Sequence, residues 1–353
     1  MTETVLLSHG LRPFPGLITR DGTPASGDRL ARMTAILDDV RAAGFDIGPA
    51  DDCGDVEDFW EDAIRIATSR RAALAAGFTT ERRGGSPGWT PADLSRRTGP
   101  ATRVEQGGSH SVDDFERVLA ALPRSMTGRR FASCTHDSEI ADPPTDHLIP
   151  HLLTLHAAGH AAAVVKIAGH KLGIARIELD ADPQTVERRL DEAFEWSMVR
   201  LDGVAGAFLV SPWIEMTCEY RIFVVDGRPV TGAACIEEYT PLDHHGAAPF
   251  DTALRERRGN RIAAAADTPV TDDAATVAAH VAAADPVIEH LASIGLRTYV
   301  VDMAHVPDQE RSIVIEFNSI PNAGLYACDA QALADALVRT EHKGYYEHVS
   351  HTR

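Results

Sequence analysis

The sequence predicts a mixed α/β protein in which a smaller N-terminal α/β domain precedes two lobes built on antiparallel sheets. Three observations carry this. Segments with a helical apolar period alternate with short apolar runs, the mark of helices layered on sheets. From residue 160 onward the short runs come as close neighbours in the chain, two pairs of them joined by glycine-bearing turns, as in antiparallel hairpins. Before residue 80 there is one such run followed by helical patterns, which reads as a βα arrangement. At 353 residues the chain is long enough for two or three packed domains.

Residues 4–8 (TVLLS) read as a short buried strand, and 27–44 as a helix ending at Gly44. Residues 55–76 give one or two more helices. Residues 80–112 are dense in Gly, Pro, Ser, Thr and Arg and read as a long loop or linker. VDDFERVLAAL (112–122) is a short helix stopped by Pro123. Residues 145–159 read as a helix despite Pro150, AAAVVKIAG as a strand, IARIEL as its antiparallel partner, and 182–200 as an amphipathic helix. Three strands occupy 207–237, the last two joined by an Asp226-Gly227 turn. A long helix over 272–295, a hairpin of RTYVVDMAHV with SIVIEFN, and a last helix over 329–341 complete the chain. This organisation gives an N-terminal domain over 1–80, a flexible loop or linker over 81–112, a small lobe over 113–200, a large lobe over 201–345 and a tail over 346–353.

The net charge of −18, with no basic stripe, argues against nucleic acid as a partner. The five cysteines are scattered and form no C-x-x-C pair, which fits a reduced, cytoplasmic setting. The N-terminus shows no signal-peptide pattern, and no apolar run is long enough to span a membrane.

The basic residues are 31 Arg and only three Lys, and two of the lysines, Lys166 and Lys171, share one glycine-bearing loop. A lysine kept against such a bias points to a chemical need, and its compact charge on a flexible stem suits a phosphate oxygen. Lys166 ends an apolar run and should emerge at a sheet edge, with Gly169 and Gly173 letting the loop fold closely over a ligand. In FLVSPWIEMTCEYRIFVVDG (208–227) a strand runs into Trp213 and Ile214, then an acidic turn with Glu215, and Glu219 opens the next strand. An apolar slot with backbone donors suits an adenine ring, and a nearby carboxylate suits ribose hydroxyls. Arg221 lies two residues after Glu219 and so faces the same side, while Arg258 sits with Gly259 and Asn260 in RERRGN. Arginine forks suit phosphate and carboxylate groups.

The fourth patch has Asp302 at the end of a strand, with Glu316 and Asn318 two residues apart on the next. Hard oxygen donors on one sheet face suit Mg²⁺, which takes a few carboxylates plus waters and phosphates. Without a cation, burying two such carboxylates together is costly.

In this order, VVKIAGHKLG, WIEMTCEYRIFVVDG and VVDMAHV…VIEFNSIPNAGLY resemble the ATP-grasp superfamily of carboxylate–amine ligases over roughly residues 125–330. The resemblance implies an α+β ATP-grasp architecture with ATP and Mg²⁺ as cofactors. It places Lys166 and Lys171 on ATP phosphates, the Ile214 backbone on adenine beside Trp213, and Glu219 or Glu215 on the ribose. It places Asp302, Glu316 and Asn318 on Mg²⁺, and gives Arg258 the γ-phosphate and acyl phosphate. The sequence departs from the family in its short glycine-rich loop and in the region before residue 125, which does not visibly match the family's N-terminal domain.

The implied reaction activates a small-molecule or peptide carboxylate as an acyl phosphate, which an amine co-substrate attacks. Arg221 or Arg258 would stabilise the oxyanion. The alternatives are a small-molecule kinase on the same Mg·ATP site and a non-catalytic nucleotide-binding protein. A histidine metal site is a further reading, from His147/His151 and His156/His160, but Pro150 interrupts the first pair and H-E-x-x-H is absent. The basic loop 80–112 is either a linker or a cover over an anionic substrate, and His9 and Arg12 are candidates to line a substrate crevice. A homodimer is compatible with the sequence.

Overall fold

The computed structural model describes residues 4–8, 11–48, 55–82, 93–98, 102–104, 112–136, 144–167, 173–196, 206–256 and 268–350. In chain order the elements are β1 (Thr4–Ser8), α1 (Gly27–Ala42), α2 (Val56–Ala75), β2 (Thr79–Arg82), β3 (Asp93–Thr98), β4 (Thr102–Val104), α3 (Val112–Ala121) and α4 (Arg124–Thr127). There follow β5 (Ala132–His136), α5 (Pro144–Ala157), β6 (Ala162–Ile167), β7 (Ile174–Glu178), α6 (Pro183–Trp196), β8 (Gly206–Pro212), β9 (Thr217–Val225) and β10 (Arg228–Ala234). The chain ends with β11 (Ala253–Arg255), β12 (Val270–Asp272), α7 (Ala274–Ser293), β13 (Tyr299–Val306), β14 (Arg311–Asn318) and α8 (Ala330–Ser350). Sheet orders are β2-β1-β3-β4, β10-β9-β13-β14, β11-β12 and β5-β8-β6-β7. None of the described helices is long and apolar enough to cross a membrane.

The chain divides into two compact units. The first comprises 1–109, 217–303 and 319–353, and the second 110–216 and 304–318.

In the first unit, β1 pairs in parallel with β2 and antiparallel with β3. The linker expected over 80–112 therefore contains strand: β3 and β4 pair across Arg97–Arg103. Backbone pairing needs no apolar alternation, which is why the polar composition hid it. Helix α1 buries Met33, Ile36, Leu37 and Val40, a single stripe at helical spacing. Helix α2 begins at Asp55, whose side chain accepts from the Glu57 N–H, and buries Phe59, Trp60, Ala63, Ile64 and Ala67. Helix α8 packs on α2 and continues to Ser350, past the expected end at 341. The β9–β10 hairpin turns at Asp226 and Gly227, both with positive φ (51° and 69°), as a two-residue turn of this hand needs. Beyond the bulge at Pro229–Thr231 comes Gly232, where a Cβ would meet the Arg221 carbonyl at 2.7 Å, so only glycine allows this approach.

In the second unit, the four-stranded sheet carries α5 and α6 on one face. Ala163, Val165 and Ile167 of β6 and Ala175 and Ile177 of β7 meet Leu148, Leu152, Val186, Leu190 and Phe194 from those helices. Side chains alternate along a strand, so Val164 and Lys166 project from the opposite face. Phe194 is almost fully buried in this core. Phe194→Ala is expected to cost about 3–5 kcal/mol of unfolding free energy by urea denaturation; a loss below about 1 kcal/mol would contradict this packing.

Candidate functional site

In the second unit, strand β6 delivers Lys166 one residue before its C-terminal end. Helix α3 lies over β14, with Phe115 and Phe317 stacked at a centroid distance of 6.4 Å. That stack presents the following residue of α3, Glu116, and the preceding residue of β14, Glu316, to the same ammonium. Lys166 Nζ lies 2.6 Å from Glu116 Oε1 and 2.9 Å from Glu316 Oε2. Asn318 Nδ2 donates to Glu316 Oε1 at 3.0 Å. Burial opposes the charged form of Lys166, but the charges of Glu316 and Glu116 and their hydrogen bonds outweigh it and raise its pKa.

The donor set fits a magnesium ion. Two carboxylates share one ammonium, which leaves one negative charge in a largely buried cluster, and the amide of Asn318 adds a further hard oxygen. Glu316 and Asn318 would hold such an ion, and Lys166 a phosphate oxygen.

A second cation of this unit lies at Arg129, between α4 and β5. It is buried, its guanidinium sits 4.8 Å from the Phe131 ring centroid, and Nη1 reaches the Met216 sulfur at 3.7 Å. Its Nε has no hydrogen-bond partner among the described residues. Burial pushes its pKa down to about 10. A buried guanidinium is costly without an anion, so this arrangement suits an anionic ligand.

The segment expected to meet adenine runs from Trp213 through Glu215 in the same unit. The Trp213 N–H donates to the Ala162 carbonyl, its indole Nε1 donates to Glu215 at 2.7 Å, and the Arg176 guanidinium lies 5.0 Å over its ring. Ile214 is half-buried and Glu215 exposed.

In the first unit, Arg221 on β9 and Asp302 on β13 form a two-pronged ion pair. Arg221 Nε donates to Asp302 Oδ1 at 2.8 Å and Nη2 to Oδ2 at 2.7 Å, while Nη1 donates to the Gly324 carbonyl at 3.1 Å. The Tyr326 ring lies 5.1 Å from the guanidinium, on a backbone with φ of 48°. A bulky residue in that region is strained and is held there by its surroundings. Asp302 has no exposed surface. Burial disfavours the Arg221 charge, but Asp302 outweighs it and raises its pKa. Glu219, half-buried, has a carboxylate oxygen within 4.8 Å of ligand atoms of Cys235 and Asp302, a further grouping with metal-ligand chemistry.

Of the residues singled out from sequence, the structure brings Lys166, Glu316 and Asn318 together. Asp302 departs from expectation: it is the fourth residue of an eight-residue strand rather than its end, and Arg221 occupies both of its oxygens. Lys171 and Arg258 lie outside the described residues, as does His9. Arg12 pairs with Asp58, so its charge is committed within the first unit. The sequence reading missed Glu116 and Arg129. For Glu116 there was a signal, since it shares the helical stripe of Phe115, Leu119 and Leu122 and is a charge at a core position. Nothing in the sequence separates Arg129 from its exposed neighbour Arg130.

A family model for an ATP-grasp domain, family 3 of its clade, matches residues 135–337, more than half of the chain. No curated protein sequence matches. Among solved structures, the D-alanine-D-alanine ligase from Coxiella burnetii is 14% identical with a TM-score of 0.38, covering 67% of this chain and 60% of its own. The D-alanyl-alanine synthetase A from Vibrio cholerae is 11% identical with a TM-score of 0.41, covering 79% and 94%. The macrocyclase MdnC bound with precursor peptide MdnA, from Microcystis aeruginosa, is 12% identical with a TM-score of 0.41, covering 78% and 96%. The chain spans less than two thirds of the length of the Coxiella burnetii ligase.

Proposed function

The chain belongs to the ATP-grasp domain family, and on that premise we propose that it is an ATP- and Mg²⁺-dependent carboxylate–amine ligase. One observation carries the reading: a lysine suited to phosphate and oxygen donors suited to magnesium meet in one largely buried cluster, at Lys166, Glu316 and Asn318.

In this reading a carboxylate oxygen of the substrate attacks the γ-phosphorus and the bond to the ADP oxygen breaks. The amine nitrogen then attacks the acyl carbon, phosphate leaves, and the amine loses a proton. Magnesium, when bound, neutralises phosphate charge. Lys166 holds a phosphate oxygen and offsets charge that develops during transfer. Arg129 adds a second fixed positive charge for a phosphate group, needing no reorganisation because it is already desolvated. Asp302 keeps, in this reading, the metal-donor role that the family resemblance gives it. Arg221 is the group for the oxyanion of the second step, and Arg258 and Lys171 keep the phosphate roles the family resemblance gives them. The carboxylate is a small molecule or peptide and the setting is cytoplasmic, in keeping with the free thiols of Cys218, Cys235 and Cys328.

The test is incubation with ATP, Mg²⁺, and panels of amino acids, peptides and amines. Release of ADP and phosphate with an amide product is expected. A stable phosphorylated product would make the protein a kinase, and AMP release would contradict the acyl-phosphate route.

Arg129→Met gives a sharper check. Nucleotide affinity should fall about tenfold or more by calorimetry, the worth of one charge-assisted hydrogen bond, while the unfolding midpoint stays equal or rises because a buried charge has gone. Unchanged affinity would remove Arg129 from the phosphate site.

A further inference from the structure

The two carboxylates that share Lys166 are not equivalent. The Glu116 side chain is 4% exposed and lies 2.6 Å from the ammonium, whereas that of Glu316 is 23% exposed and lies at 2.9 Å. Glu316 also has Asn318 bonded to its other oxygen and is the carboxylate proposed to take magnesium. A divalent ion bound there competes with Lys166 for the same oxygens and repels the ammonium. A lysine freed from Glu316 would recover the rotamer freedom of its four-carbon stem, and a phosphate would have to order it again.

We infer that Glu116 is a positioning residue that keeps Lys166 in its phosphate-facing place when the metal takes Glu316. The inference rests on the ligase reading above, in which Glu316 holds the metal. Three features fit Glu116 to this task. It is too buried to exchange for a solvent-borne ion. Its helix is fixed on β14 by the Phe115–Phe317 stack, so its carboxylate stays beside Lys166 whether or not Glu316 is engaged. Its charge would be costly to bury unpaired, so it holds the ammonium firmly. The lysine thus has one permanent partner and one exchangeable partner.

The test is calorimetric titration of Mg·ATP into wild type, Glu116→Gln, Glu116→Asp, Lys166→Met and the Glu116→Gln/Lys166→Met double variant, with an unfolding midpoint for each. Glu116→Gln should weaken binding about tenfold, the usual order for a residue acting through a ligand-contacting partner. Glu116→Asp, which keeps the charge on a shorter stem, should recover part of that loss. In the Lys166→Met background, Glu116→Gln should cost nothing further. Wild-type affinity in Glu116→Gln, or the same fold-loss with and without Lys166, would overturn the inference, and a lowered midpoint with unchanged affinity would leave Glu116 a purely structural pair. If Glu116→Gln does not fold, the Glu116→Asp loss and its disappearance in a Glu116→Asp/Lys166→Met double variant decide the matter. Absence of Mg·ATP binding by the wild type would instead bring down the nucleotide reading itself.

Discussion

Asp302→Ala is expected to lower the unfolding free energy by about 3–5 kcal/mol, the usual cost of removing one partner from a buried ion pair. Asp302 is fully buried and takes both prongs of the Arg221 fork. Removing it leaves the guanidinium with the Gly324 carbonyl and the Tyr326 ring, neither of which carries a compensating charge. The loss comes from the stranded cation more than from the missing contact. Replacing both members, as Arg221→Met/Asp302→Leu, should therefore restore most of the stability while abolishing turnover. Urea denaturation of the two variants separates these outcomes. A loss below about 1 kcal/mol for Asp302→Ala would mean that the pair is not held as described.

Glu316→Gln should do the opposite, leaving the fold nearly untouched and removing the chemistry. The side chain is partly exposed, and Lys166 keeps Glu116 as its counter-ion, so the change in unfolding free energy should stay within about 1 kcal/mol. Turnover with ATP and Mg²⁺ should fall about a hundredfold or more, the scale seen when a group that stabilises transition-state charge is lost. Near-normal turnover would remove the metal assignment from Glu316.

The strands and turns near the Lys166 cluster were legible because local pattern determines them. β6 and β7 follow each other with two glycines between, so their antiparallel pairing needed only alternation, and it runs from Ala162↔Glu178 to Lys166↔Ile174. The Asp226-Gly227 turn was legible for the same reason. Long-range pairing was not. Strand β9 neighbours β13 although α7 and other strands intervene in the chain, and that order makes Asp302, expected as a metal donor, the partner of Arg221. β3 lay hidden in an Arg- and Gly-rich stretch because its partner β1 stands at the far start of the chain, and β4, its local hairpin partner, because Thr102–Val104 is short and lacks apolar alternation. The compact units interleave along the chain where the sequence reading drew consecutive segments, since α8 returns to pack on α2. Glu116 was the one missed residue with a readable signal, a carboxylate inside an apolar stripe.

The most direct measurement is calorimetric titration of ATP into the wild-type protein with and without Mg²⁺, repeated on Glu316→Gln. Micromolar binding that needs Mg²⁺ and weakens in the variant is the predicted result. Failure of the wild type to bind ATP in the presence of Mg²⁺, even at millimolar nucleotide, would contradict the assignment of Lys166, Glu316 and Asn318 as a nucleotide–metal site.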